Sequence, residues 1–148
     1  MITADQLLCH AIGDYVLQSD WMATEKTKKS VACLCHVTAY AVPFLFLRPS
    51  LPALVVIIST HFVIDRWRLA RFVVWAKNFL APRRDLKGQV DKGPKGNDRI
   101  VSWAGIARNL PWRECNLTGY PRDAQPWLAV WLLIIADNIM HVLINGLA

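Results

Sequence analysis

Three pairs of histidine and aspartate carry the chemistry this sequence offers: His10 with Asp14, His61 with Asp65 and, in reverse order, Asp137 with His141. Each pair is spaced by four residues. On a helix that spacing puts both side chains on one face, one turn apart. All three pairs lie in apolar stretches. Burying an imidazole and a carboxylate there is costly unless they meet a metal, a proton or a counter-charge. Mixed imidazole and carboxylate ligands suit zinc, manganese or iron, and the number of ligands allows two ions. The expected metal ligands are therefore His10, Asp14, His61, Asp65, Asp137 and His141. The fourth histidine, His36, also sits in an apolar run. It is read as a ligand or proton shuttle, and His36 and Asp65 are the expected catalytic residues.

These residues need helices to position them. Thr3 with Gln6 reads as a capping box that opens a first helix running to about Trp21. Leu7, His10, Asp14, Gln18 and Trp21 form one stripe of it. Residues 30–47 are uncharged, with Pro43 as an expected kink and Cys33, His36 and Tyr40 as a polar stripe. Arg48-Pro49 reads as a tight turn and Pro52 as a first-turn proline. The helix that follows is expected to run from about residue 50 to about residue 79, leaving the bilayer near Arg68 to Arg71. The last apolar run covers residues 124–148, with Asp137, His141 and Asn145 as its polar stripe.

The chain has 148 residues, 54% of them hydrophobic and 19% charged, with a formal net charge of +6. Soluble domains carry nearer a quarter of charged residues, so the balance leans towards a membrane protein. The expected fold is all-α: one integral membrane domain over residues 1–148, a bundle of about four helices. Its spans are placed at about 4–21, 30–47, 50–72 and 124–147, with a polar loop over 82–123. Lysine and arginine crowd into residues 26–29 and 83–122. The positive-inside rule makes that side cytoplasmic and puts both termini outside, as in a multi-pass inner-membrane protein. In the loop, the segment from Lys87-Gly88 to Gly96-Asn97 reads as mobile. Asp98 could cap an amphipathic interfacial helix with Ile100, Trp103, Ala104, Ala107 and Leu110 on one face.

In that topology every histidine of the pairs lies outward and every aspartate inward. The reversed order of Asp137 and His141 is what an antiparallel helix needs to present the same layers. Four helices would then bring four imidazoles and three carboxylates to one polar cavity. Cys9, Cys33 and Cys35 are read as packing residues.

The pattern His10-x3-Asp14-Tyr15-x-Leu17-Gln18-x2-Trp21, followed by Lys26, His36 and the His61-x3-Asp65 helix, resembles an uncharacterised family. Its members are small bacterial and phage membrane proteins that carry only a domain-of-unknown-function label. The resemblance covers about the first eighty residues. The family looks related to the membrane-bound metal-dependent hydrolases, which implies a metal site without fixing a reaction.

The function expected from these readings is a membrane-embedded metal-dependent hydrolase of a lipid or lipid-linked phosphoester. A bound metal would make hydroxide available near neutral pH. Membrane lipids are the expected partners, with Lys26, Lys28 and Lys29 holding an anionic headgroup. An oligomer is compatible with the sequence. Nucleic acid is not expected, because no base-stacking module accompanies the charge. Two other classes fit the same residues: a small channel or carrier for protons or divalent cations, and a membrane interaction protein without catalysis.

Overall fold

The computed structural model describes residues 2–80, 83–84, 90–92, 98–100, 106–107, 110–122 and 124–148. Helix α1 spans Ala4–Ala11 and opens on the expected capping box. The Gln6 backbone N–H donates to Thr3 Oγ1 at 3.2 Å, and the Thr3 N–H donates to Gln6 Oε1 at 3.0 Å. The expected run to Trp21 is interrupted. Residues Ile12–Val16 form a π-helical turn, closed by the Leu17 N–H donating to Ile12 O at 3.0 Å. Gly13 lets Tyr40 pack against this turn: a Cβ there would lie 2.5 Å from Tyr40 Cδ2. Ser19 then caps a short α2, Asp20–Glu25.

Helix α3 spans Ser30–Leu45 and includes Pro43. It buries Cys33, His36, Val37, Tyr40 and Phe44, side chains that recur at helical spacing on one face. Arg48 turns the chain with φ +50°, and Ser50 caps α4, Leu51–Trp67, with Pro52 in its first turn. The long helix expected from residue 50 to 79 is broken at Arg68. That residue takes the left-handed conformation, φ +51°, and α5 begins afresh as Ala70–Leu80. The Arg68 and Leu69 N–H groups close the end of α4 on Asp65 O and Ile64 O, at 3.2 and 3.0 Å.

Four short strands follow: β1 Arg83–Arg84, β2 Val90–Lys92, β3 Asp98–Ile100 and β4 Ile106–Ala107. β1 pairs antiparallel with β4, and β2 with β3, bringing Lys92 opposite Asp98. This corrects the expected interfacial helix. Asp98, Ile100 and Ala107 stand in strands, not on one helical face, because ladder pairing with upstream residues satisfies their backbone in place of an i→i+4 ladder. Trp103 and Ala104 lie outside the described residues, as do residues 87–89 and 93–97 of the segment read as mobile. A 3₁₀ turn at Trp112–Glu114 leads to the last helix, α6, Pro126–Leu147.

The four-span bundle also needs correction. Among the described residues only α6 is long and apolar enough to cross a membrane, so the multi-pass topology with both termini outside is not supported. Its 22 residues rise about 33 Å. The 16 residues of α3 and 17 of α4 rise about 24 and 26 Å, short of a hydrocarbon core of about 30 Å. The first expected span is cut by the π turn and the Ser19 cap. An uncharged run therefore gave the right composition for a span, while caps and the left-handed Arg48 and Arg68 set the helix lengths. The exterior of α6 stays apolar: Trp127, Trp131, Ile135, Ile139 and Leu143 are all exposed on one stripe. The opposite stripe buries Ala129, Leu133, His141 and Asn145 against α1, α4 and α5.

Candidate metal centre

The two aspartates Asp14 and Asp65 meet the same two imidazole nitrogens. His36 Nε2 lies 3.3 Å from Asp14 Oδ1 and 3.0 Å from Asp65 Oδ2. His61 Nε2 lies 3.4 Å from Asp14 Oδ1 and 3.2 Å from Asp65 Oδ2. The two nitrogens face each other at 3.0 Å. Each residue is delivered by its own local geometry. The π turn carries Asp14, α3 brings His36 on its buried stripe, and α4 presents His61 and Asp65 one turn apart. All four side chains are buried.

Lys26 enters the cluster from the connection between α2 and α3. Its ammonium donates to Gln18 Oε1 at 2.8 Å and to Asp65 Oδ2 at 3.0 Å, and lies 3.2 Å from His36 Nε2. Burial opposes ionisation of Asp14, but the His36 and His61 imidazoles close beside it overcome it and hold the carboxyl well below the usual range. Asp65 is held low in the same way, against burial, by His141, His36, His61 and Lys26. Burial pulls the His10 imidazole down. Burial also opposes a charge on His36, yet Asp14 and Asp65 raise it on balance. Geometry sets a limit on that charge. Only one of two imidazole nitrogens at 3.0 Å can carry the proton between them, and the ammonium already supplies a positive charge.

The dimensions suit a metal. Ligands bonded at about 2.0–2.1 Å and tetrahedral angles stand about 3.3 Å apart. Asp14 Oδ1, His36 Nε2 and His61 Nε2 are separated by 3.0–3.4 Å. Asp14 Oδ1 is buried with no hydrogen-bond partner, which leaves a lone pair facing the two nitrogens. One feature of metal-bound imidazoles is missing: the Nδ1 atoms of His36 and His61 have no outer hydrogen bond. Packing fixes the His61 ring instead, stacked between Tyr40 at 3.7 Å and His141 at 4.0 Å between centroids. A cavity of about 470 Å³ reaches this cluster, with Asp14, Lys26, Asp65, Asp137 and Asn138 in its wall.

His10, an expected ligand, is placed one step out. Its Nδ1 is 3.4 Å from Asp14 Oδ2, but the same nitrogen is 3.0 Å from Tyr40 Oη, and Nε2 is 3.0 Å from Asn138 Oδ1. Asn145 Nδ2 donates to Tyr40 Oη at 2.6 Å, and Asn138 Nδ2 donates to Tyr15 Oη. This pattern requires Tyr40 to donate to Nδ1 and Nε2 to donate to Asn138, so both ring nitrogens are engaged. His141 Nε2 lies 3.6 Å from both Asp65 Oδ1 and Asp137 Oδ2.

Sequence reading thus found the residues that converge and missed the ones that support them. Lys26 was read as a headgroup lysine; it points inward, while Lys28 and Lys29 pair with Glu25 at 2.9 and 3.0 Å. Tyr40 follows His36 by four residues on the stripe already noted, a signal that was available. Asn138 gave none, because it adjoins Asp137 and lies off the stripe of Asp137, His141 and Asn145.

No curated protein and no solved structure matches the chain. A family model described as a protein of unknown function, DUF3307, matches residues 2–85, a segment that contains Asp14, Lys26, His36, His61 and Asp65 and leaves out Asp137 and His141. The chain, matched over more than half its length and through its whole central cluster, belongs to the DUF3307 family.

Proposed function

We propose that the chain is a metal-dependent hydrolase of an anionic ester, acting at a membrane. The observation that carries this reading is the close approach of Asp14 Oδ1, His36 Nε2 and His61 Nε2 within 3.4 Å in a buried setting. Two facing imidazoles and two carboxylates are expensive to bury beside a single ammonium, that of Lys26. Asp14, His36, His61 and Asp65 would hold the ion. Zinc, manganese or iron fits these donors, and the ion would supply Lewis acidity and water of lowered pKa. The cavity beside the cluster admits a substrate group, and Lys26 at its wall favours an anionic one, such as a phosphoester. Membrane action draws on α6, with its long exposed apolar stripe, and points to a lipid or lipid-linked substrate.

One observation favours a second reading, a carrier of protons or divalent cations. Asn145, Tyr40, His10, Asn138 and Tyr15 form a continuous hydrogen-bonded chain beside the carboxylates. Metal analysis of purified protein, followed by hydrolysis assays on a chromogenic phosphodiester, separates the two. The hydrolase reading expects retained zinc or manganese, and turnover lost on chelation and in His36→Ala and Asp65→Ala. Bound metal with flux across liposomes and no turnover on any phosphoester or carboxylic ester would overturn it in favour of the carrier. Absence of metal binding would overturn both the metal centre and the hydrolase.

A further inference from the structure

Asp65 faces two ways. Its Oδ2 meets Lys26, His36 and His61 at 3.0–3.2 Å, all on the side of Asp14. Its Oδ1 faces His141 on α6, 3.6 Å away. His141 is only 2% exposed, and its Nε2 has no hydrogen-bond partner. The same nitrogen stands 3.6 Å from Asp137 Oδ2.

Those two distances are longer than a closed charge-assisted hydrogen bond. A protonated imidazole beside two carboxylates closes to about 2.7–2.9 Å on at least one of them. A separation of 3.6 Å is instead what two ligands show when each bonds one ion at about 2.1 Å, at an angle near 120°. His61, stacked on His141, comes within reach of the same point: one ligand atom each of His61, Asp65 and His141 lies within 4.8 Å of the others.

We propose that the chain holds a second divalent cation, bound by His141 Nε2, Asp65 Oδ1 and Asp137, with Asp65 bridging it to the first ion. This rests on the metal reading above and deepens it. One ion would be enclosed by Asp14, His36 and His61. The other would lie towards the cavity wall that Asp65 and Asp137 line. A paired arrangement of this kind suits in-line displacement at a phosphoester, where one ion serves the attacking and the other the leaving oxygen.

The test is stoichiometry. The full chain, purified in detergent and stripped of metal, is titrated with Mn²⁺, and bound ion per chain is counted by equilibrium dialysis. Wild type should bind two. His141→Gln and Asp137→Asn should each bind one, and Asp65→Asn should lose both. The spin-coupled signal of paired Mn²⁺ should appear in wild type and vanish in either single-ion variant. Asp137→Asn keeps the proposal testable if His141→Gln fails to fold, since Asp137 is partly exposed. Wild type saturating at one ion, unchanged in Asp137→Asn, would overturn the second site and leave the first standing. Two ions bound in both single variants would overturn the assignment to His141 and Asp137. No ion bound by wild type would overturn both readings.

Discussion

The pairs His61–Asp65 and His10–Asp14 share one spacing and meet different fates. His61 and Asp65 sit on the regular α4, and both enter the cluster, with Nε2 3.2 Å from Oδ2. His10 ends α1, and Asp14 falls in the π turn that follows. The π turn changes the course of the chain at Asp14 yet keeps its carboxylate 3.4 Å from His10. Asp14 also reaches His36 and His61, while His10 makes its closer contacts, at 3.0 Å, with Tyr40 and Asn138. Spacing decides which face two residues share; the continuity of the helix decides whether that face stays common. Single-turn π-bulges recur at functional sites for this reason.

The comparison can be broken most directly at Asp65. Asp65→Ala removes the carboxylate that Lys26 and three histidines share, and leaves the Lys26 ammonium, itself mostly buried, without its counter-ion. Such a loss costs about 3–5 kcal/mol. Denaturant unfolding should show it, together with complete loss of bound metal. The two histidines come next. His61→Ala should weaken metal affinity by roughly 100-fold or more, and His10→Ala by about 10-fold, the range for an outer partner of a metal ligand. Equal losses in competitive zinc titrations would place His10 among the ligands and erase the distinction between the pairs.

Gly13→Ala tests the π turn itself. The added Cβ would meet Tyr40 Cδ2 at 2.5 Å, and Tyr40 is stacked on His61 and cannot retreat freely. A cost of about 1–3 kcal/mol is expected, read as a lower unfolding midpoint. A neutral result would show that Tyr40 yields to the added methyl group. The smallest effect is expected at Lys26. His36 Nε2 has one lone pair, and it cannot serve both the Lys26 ammonium at 3.2 Å and a metal. Lys26→Met should therefore tighten metal binding, on the order of tenfold, the ratio that about 1.4 kcal/mol of relieved competition produces. Weaker binding in that variant would instead make Lys26 a support of the centre.

The strands bear a different lesson. Residues 98–110 carried a helical stripe in sequence, yet Asp98–Ile100 and Ile106–Ala107 pair with residues 90–92 and 83–84. A stripe records which residues are apolar, and both periods can be found in a short segment. The partner strands lie upstream, outside the segment that carries the stripe, so its periodicity carries no trace of them. The spans failed for a related reason. Absence of charge over residues 30–47 and 50–64 was plain in the sequence, but the left-handed turns at Arg48 and Arg68 were not. Only α6 kept its full length.

The sequence by itself determined the ligand types, their apolar surroundings and the four-residue spacing that joins His61 to Asp65. It also determined the capping box at Thr3 and the polar stripe of the last helix, because these depend on neighbours within one turn. Tertiary structure decided the rest. It brought Asp14 and Asp65 to the same pair of imidazoles and moved His10 outward. It turned Lys26 inward and set His141 against the second oxygen of Asp65. Each of these depends on the direction in which a helix ends and on what packs beside it. Directions of that kind are set by contacts between residues that are distant in the chain, and no local pattern records them.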